Sequence, residues 1–201
     1  VTIASSLHFT QSTRYYPGIR AVAPLRYQQI LTSRLGAMLA SYFELGDCGP
    51  EGKAFRFSMC HYSLVTTPAE KLAAIQRIPH VDSLDGRGLA TIHYLFRGDF
   101  GGTAFYRHRK TGFEYIDESR AQAYFSSLES ENGGPDVPGP GYINGDTTLF
   151  EQVGRQEGLF NRMHVYRRNS LHSGCIDSSF VPDPNPATGR LSINSFLELA
   201  R

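Results

Sequence analysis

His80-Val81-Asp82 places an imidazole and a carboxylate two positions apart. On a β-strand, residues i and i+2 point to the same face, so these two side chains can grip one metal ion together. His172, far along the chain, supplies a third ligand from another strand. Two His and one carboxylate leave the opposite positions of an ion open, the arrangement that non-haem Fe(II) chemistry uses. Beyond His172 stands Arg190, whose guanidinium fork matches a carboxylate with two parallel charge-assisted bonds. Ser192 lies two residues further on the same strand face and adds a hydroxyl. Taken alone, a His-x-Asp triplet is a common accident in a chain with seven His. Its context carries the argument.

The elements that must position these residues read as α+β and β-rich. From Pro24 to about Phe43, Leu31, Leu35, Met38 and Tyr42 recur at helical spacing, and Leu45-Gly46-Asp47 supplies a stop, so a helix should pack one face on a sheet. Ala54 to Val65 is rich in strand formers. Thr67-Pro68-Ala69-Glu70 has a capping-box pattern and predicts a short helix with Leu72 and Ile75 on its apolar side, ended by Pro79 just before His80. Gly88 to Phe96, Thr103 to Tyr106 and Gly112 to Ile116 predict closely spaced strands, which suggest a meander folded into a sandwich or barrel. Asp117 to Leu128 predicts a helix, Glu131 to Asp146 a Gly- and Pro-rich loop of lid length, and Thr148 to Glu151 a capped helical turn closed at Gly158. Phe160 to Arg167 and Arg190 to Leu199 predict the last strands, around the Pro-rich turn Val181 to Pro186.

Composition sets the outer limits. The 201 residues suffice for a single domain with a sizeable core, with residues 1 to about 50 as helical support and about 55–197 as the core. A net charge of +1 without long runs of either sign argues against nucleic-acid and membrane partners, and leaves a small molecule or a peptide as the substrate. Cys48, Cys60 and Cys175 lack metal-type or redox-type spacing, so the expectation is a reducing cytoplasm. The chain starts at Val1 rather than Met, so the possibility of a preceding segment stays open, as does oligomeric state.

The run from His80-Val81-Asp82 through Asp85-Gly86-Arg87-Gly88 to Ile92-His93-Tyr94-Leu95, with Gly101-Gly102-Thr103 soon after, resembles the prolyl hydroxylase branch of the 2-oxoglutarate and Fe(II)-dependent oxygenases. The resemblance extends in order over roughly residues 55 to 197, through His172 and Arg190. It implies a double-stranded β-helix core of the jelly-roll or cupin-like kind, with supporting N-terminal helices. It implies that His80, Asp82 and His172 bind Fe(II), and that Arg190 and Tyr94 hold the distal carboxylate of 2-oxoglutarate. An Arg-x-Ser pair serves that role in a related branch, which brings in Ser192. The implied activity consumes O2 and 2-oxoglutarate, releases succinate and CO2, and hydroxylates an amino acid, a peptide side chain or a small metabolite. Asp82 argues against halogenation, since related halogenases lack the carboxylate.

Two departures stand out. Thr103 follows the Gly-Gly turn directly, without the acidic residue often found there, and eighteen positions separate His172 from Arg190, a longer gap than in the prolyl hydroxylases. Asp177 to Thr188 can absorb the difference as a loop. Two other readings remain: a non-catalytic barrel that binds a small molecule or peptide, and a cupin-like metal enzyme that does not use 2-oxoglutarate. His93 should face away from Tyr94 and be structural, His61, His108 and His164 lack matched ligand partners, and Cys175 reads as a small buried thiol.

Overall fold

The computed structural model describes residues 1–11, 13–46, 55–131 and 134–199. In chain order these form α1 (Thr2–Ser5), β1 (Thr10–Gln11), β2 (Gly18–Val22), α2 (Leu25–Tyr42), β3 (Phe55–Val65), β4 (Leu89–Tyr94), β5 (Gly102–His108), α3 (Glu118–Glu131), β6 (Phe150–Gln156), β7 (Met163–Arg167), β8 (His172–Cys175) and β9 (Leu191–Leu199). The fold is α+β and β-rich. A large antiparallel sheet has the order β1-β2-β3-β9-β4-β7, and a small one has the order β6-β5-β8. An isolated bridge pairs His80 with His172 and so adds the His80 segment beside β8.

Period-two alternation on β9 explains how the layers stack. Leu191, Ile193 and Leu197 point to one face of the large sheet, and Ser192, Asn194 and Phe196 to the other. The first face receives α2, where Leu31, Leu39 and Ala40 pack on Phe55, Leu89 and Leu197. Burying each such leucine stabilises by about 1.5–3 kcal/mol. The second face turns toward the small sheet and is unusually polar for an interior, with Ser63 and Ser192 almost fully buried. Aromatic contacts close the gap between the sheets: Phe105 of β5 meets the Tyr166 ring of β7 edge-on at 5.2 Å.

Several elements differ from expectation for identifiable reasons. The N-terminal region holds β1 and β2 as well as helices, because Gly18–Val22 pairs antiparallel with the outer edge of β3. On α2 the buried stripe runs through Leu31 and Leu39, while Met38 and Tyr42 stay 59% and 79% exposed. The segment after Thr67 makes two 3-10 turns, Ala69–Lys71 and Ala74–Gln76, rather than a helix, and no side chain caps the first. Only Tyr115 pairs within Gly112 to Ile116, through a single bridge to Ser170. Thr148 to Glu151 leads into β6 instead of a helical turn: the Thr147 hydroxyl accepts from the Phe150 amide and ends a turn that β5 continues as a strand partner. Asp47 and Ala54, and two positions of the Glu131 to Asp146 loop, lie outside the described residues. Among the described residues no helix is long and apolar enough to cross a membrane.

Candidate metal centre

The His80 bridge is what brings the sequence motif to its distant partner. The His80 amide donates to the His172 carbonyl at 2.9 Å, and the His172 amide returns the bond at 3.0 Å. Directly paired residues share a face, so the two rings stand side by side with centroids 4.5 Å apart. Two residues on, where the chain bends, the Asp82 amide donates to the Arg168 carbonyl at 2.8 Å, which anchors Asp82 beside the two histidines. The three side chains each offer one ligand atom, all within 4.8 Å of one another. His172 Nε2 lies 3.5 Å and His80 Nε2 3.8 Å from the Asp82 oxygens.

The protonation state suits a cation. His172 Nδ1 is 3.0 Å from the Ser170 carbonyl, which only accepts, so Nδ1 carries the proton and Nε2 keeps its lone pair for a ligand bond. Desolvation, then the neighbouring His172, pushes the His80 imidazole down to about 4, although Asp82 pulls the other way. The Asp82 side chain is 15% exposed, and no described residue donates a hydrogen bond to its carboxylate. One carboxylate and two imidazoles that converge in this way could hold a divalent metal ion.

The proposed co-substrate anchor lies where the loop after β8 feeds β9. Arg190 is 4% exposed and donates from Nε to the Phe100 carbonyl at 2.7 Å and from Nη2 to the Gly102 carbonyl at 2.9 Å. These bonds fix the guanidinium against the Gly-Gly turn and the rings of Phe96 and Tyr94. The turn needs both glycines. Gly101 has φ +71 and a Cβ there would stand 1.9 Å from the Cys175 carbonyl oxygen, while one on Gly102 would stand 1.9 Å from that of Gln156. The Tyr94 hydroxyl and Thr103 Oγ1 share a hydrogen bond of 2.6 Å, across from one sheet to the other. Ser192 is buried beside Tyr94 in register and donates to Asn194 Oδ1 at 2.7 Å rather than to Arg190. The long gap between His172 and Arg190 is taken up by the loop of residues 176–190, tied internally by Asp183 to Asn185 and Thr188.

The other histidines sit elsewhere. His93 faces α2 and meets the Tyr27 hydroxyl and Asn161. His108 is buried between Thr111 and Glu131, and His164 lies edge-on to the Tyr94 ring with its Nε2 at the Glu157 carbonyl. Cys175 is fully buried in the cluster of Ala104 and Tyr106, on the face of the small sheet away from the triad. Spacing did not single out Tyr166, whose ring lies 4.7 Å from that of His172, nor Arg20, which acts electrostatically on Asp82 and His80. Period-two alternation in β7 and in Gly18–Val22 was the available signal for both.

No curated protein matches this sequence. A family profile matches residues 1–197, nearly the whole chain, and on that ground the chain belongs to DUF6445, a family of unknown function.

Proposed function

We propose that this protein is a non-haem Fe(II) and 2-oxoglutarate-dependent dioxygenase, acting as a hydroxylase on a double-stranded β-helix core. The observation that carries the reading is the convergence of His80, Asp82 and His172, with a lone-pair-bearing Nε2 on His172. Strand order supports the core. The strands β3 to β9 fall on the two sheets as β3-β9-β4-β7 and β8-β5-β6, with the His80 bridge beside β8, an order that suits a jelly-roll core.

His80, Asp82 and His172 would hold the metal on one side and leave the other open. Bound there, Fe(II), 2-oxoglutarate and O2 supply oxidative decarboxylation to succinate and CO2 and insertion of an oxygen atom into a substrate C–H bond. Arg190, which has no carboxylate partner among the described residues, would hold the far carboxylate, with the Tyr94 and Thr103 hydroxyls as neutral donors beside it. Burial raises the Tyr94 phenol, so it remains a donor at neutral pH. Tyr166 packs on the His172 ring and Phe105 on Tyr166, which walls that side of the site.

The test is anaerobic addition of Fe(II) and then 2-oxoglutarate, followed by the weak visible band of a chelated keto acid. A band that disappears in His80→Ala supports the reading. Fe(II) binding without the band points to the cupin-like alternative, and no metal binding points to a binding module. Arg190→Ala should raise the 2-oxoglutarate requirement about a hundredfold, since truncating the cation of a buried pair costs roughly 2–5 kcal/mol. An unchanged requirement removes Arg190 as the anchor.

A further inference from the structure

A second guanidinium without an anionic partner stands on the same interior face. Arg20 of β2 pairs in register with Ser63 of β3, Ser63 with Ser192 of β9, and Ser192 with Tyr94 of β4. Register partners share a face, so these four side chains form one row across four strands. The row faces the small sheet, because Tyr94 at its far end bonds Thr103 there. At its near end Arg20 Nε donates to Ser63 Oγ at 3.1 Å.

The remaining contacts of Arg20 are weak acceptors. Its Nη1 is 3.5 Å from Met59 Sδ, and its Cζ lies 4.0 Å over the Tyr16 ring. Among the described residues no carboxylate comes within ion-pair distance of it. Arg20 still acts electrostatically on Asp82 and His80 from this interior face. The Tyr16 ring lies under its guanidinium, and burial raises the Tyr16 phenol while Arg20 and Arg190 pull it the other way. A half-buried guanidinium that is stacked, held at Nε and left without an anion is preorganised to receive one.

Charge balance selects the occupant. With a divalent ion and dianionic 2-oxoglutarate in place, Asp82, Arg20 and Arg190 leave one net positive charge among these groups. We propose that Arg20 is the recognition group for the primary substrate, and that this substrate presents a single carboxylate to it while its reacting carbon faces the metal. The inference rests on the reading of the site as a metal and 2-oxoglutarate centre, in which Arg190 is committed to the co-substrate and Arg20 is spare.

The test uses the full chain loaded with Mn(II), with unlabelled 2-oxoglutarate at saturation and acetate or benzoate carrying a 13C carboxylate as probes. Paramagnetic relaxation of the labelled carbon reports a carboxylate held near the ion. The expected result is enhanced relaxation in the unsubstituted protein, about a tenfold weaker affinity in Arg20→Met, and retention in Arg20→Lys, as loss and keeping of a charge partner require. Benzamide, which lacks the charge, should not compete with labelled benzoate. In parallel, the Fe(II) and 2-oxoglutarate band should form in Arg20→Met at an unchanged 2-oxoglutarate concentration. Absence of enhancement in the unsubstituted protein, or equal enhancement in folded Arg20→Met, overturns the proposal. So does a loss of 2-oxoglutarate affinity in Arg20→Met as large as that in Arg190→Ala, which would give Arg20 to the co-substrate. If the band never forms while the Mn(II)-dependent signal still follows Arg20, the co-substrate reading fails and the carboxylate site stands.

Discussion

Asp82 is held between two imidazoles, and no described residue donates a hydrogen bond to its carboxylate. Asp82→Asn should therefore unfold within about 1 kcal/mol of the unsubstituted protein without metal, since no hydrogen bond to the carboxylate is lost. Adding Fe(II) or Zn(II) should raise the midpoint of the unsubstituted protein and leave that of Asp82→Asn where it was; a metal-induced rise in both would take Asp82 out of the ligand set. His80 predicts a pH dependence. Its imidazole is pushed from 6.5 to about 4, so between those values the unfolded chain binds a proton that the folded one refuses. Stability of the metal-free protein should fall as pH falls through that window, and His61, His93 and His164, all displaced downward by burial, act in the same direction. Urea melts at pH 7 and pH 5 read the slope, which His80→Gln should flatten; an identical slope would sink the assignment. At this scale the spacing of His80 and Asp82 was legible because the two are neighbours in sequence, although the segment makes only an isolated bridge at His80 and bends at Asp82 rather than running as a strand. Arg20 was not, because what marks it is a missing anion, and that can be seen only once Ser63, Tyr16 and Asp82 surround it.

Among the elements, the Gly101-Gly102 turn couples packing to co-substrate binding. The Gly102 carbonyl accepts from Arg190, and its α-carbon leaves no room for a side chain against Gln156. Gly102→Ala should lose about 2–4 kcal/mol of stability, as forced backbone movement in a packed site does, and should also raise the 2-oxoglutarate requirement while leaving metal affinity nearly unchanged. A variant that loses stability alone would separate the turn from Arg190. The long strands were legible from composition, β3 and β9 most clearly, since apolar and polar residues largely alternate there without Gly or Pro. The short elements were not. Thr148 to Glu151 carries a capping pattern, yet β5 offers an open edge beside it and the ladder to Tyr106, Arg107 and His108 overrides the local preference.

Across the whole molecule, two loops meet above Arg190. The Tyr142 hydroxyl donates to the Thr67 carbonyl at 2.6 Å, and Phe180 lies edge-on to both Tyr142 and Phe100, whose carbonyl holds Arg190. If residues 134–146 act as a lid, limited proteolysis within them should slow when metal and 2-oxoglutarate are added together, and slow less in Tyr142→Phe; cleavage indifferent to ligand would make the loop a fixed strap. The large sheet has one further consequence, set by where β9 sits. It lies between β3 and β4, so a strand made after both of them joins the two parts of the sheet. Until residues 191–199 leave the ribosome, β3 and β4 each present an unpaired edge, and Ser192, which links Ser63 to Tyr94, is absent. The nascent chain is thus at its most adhesive just before β9 emerges, and holding by a chaperone matters most in that interval.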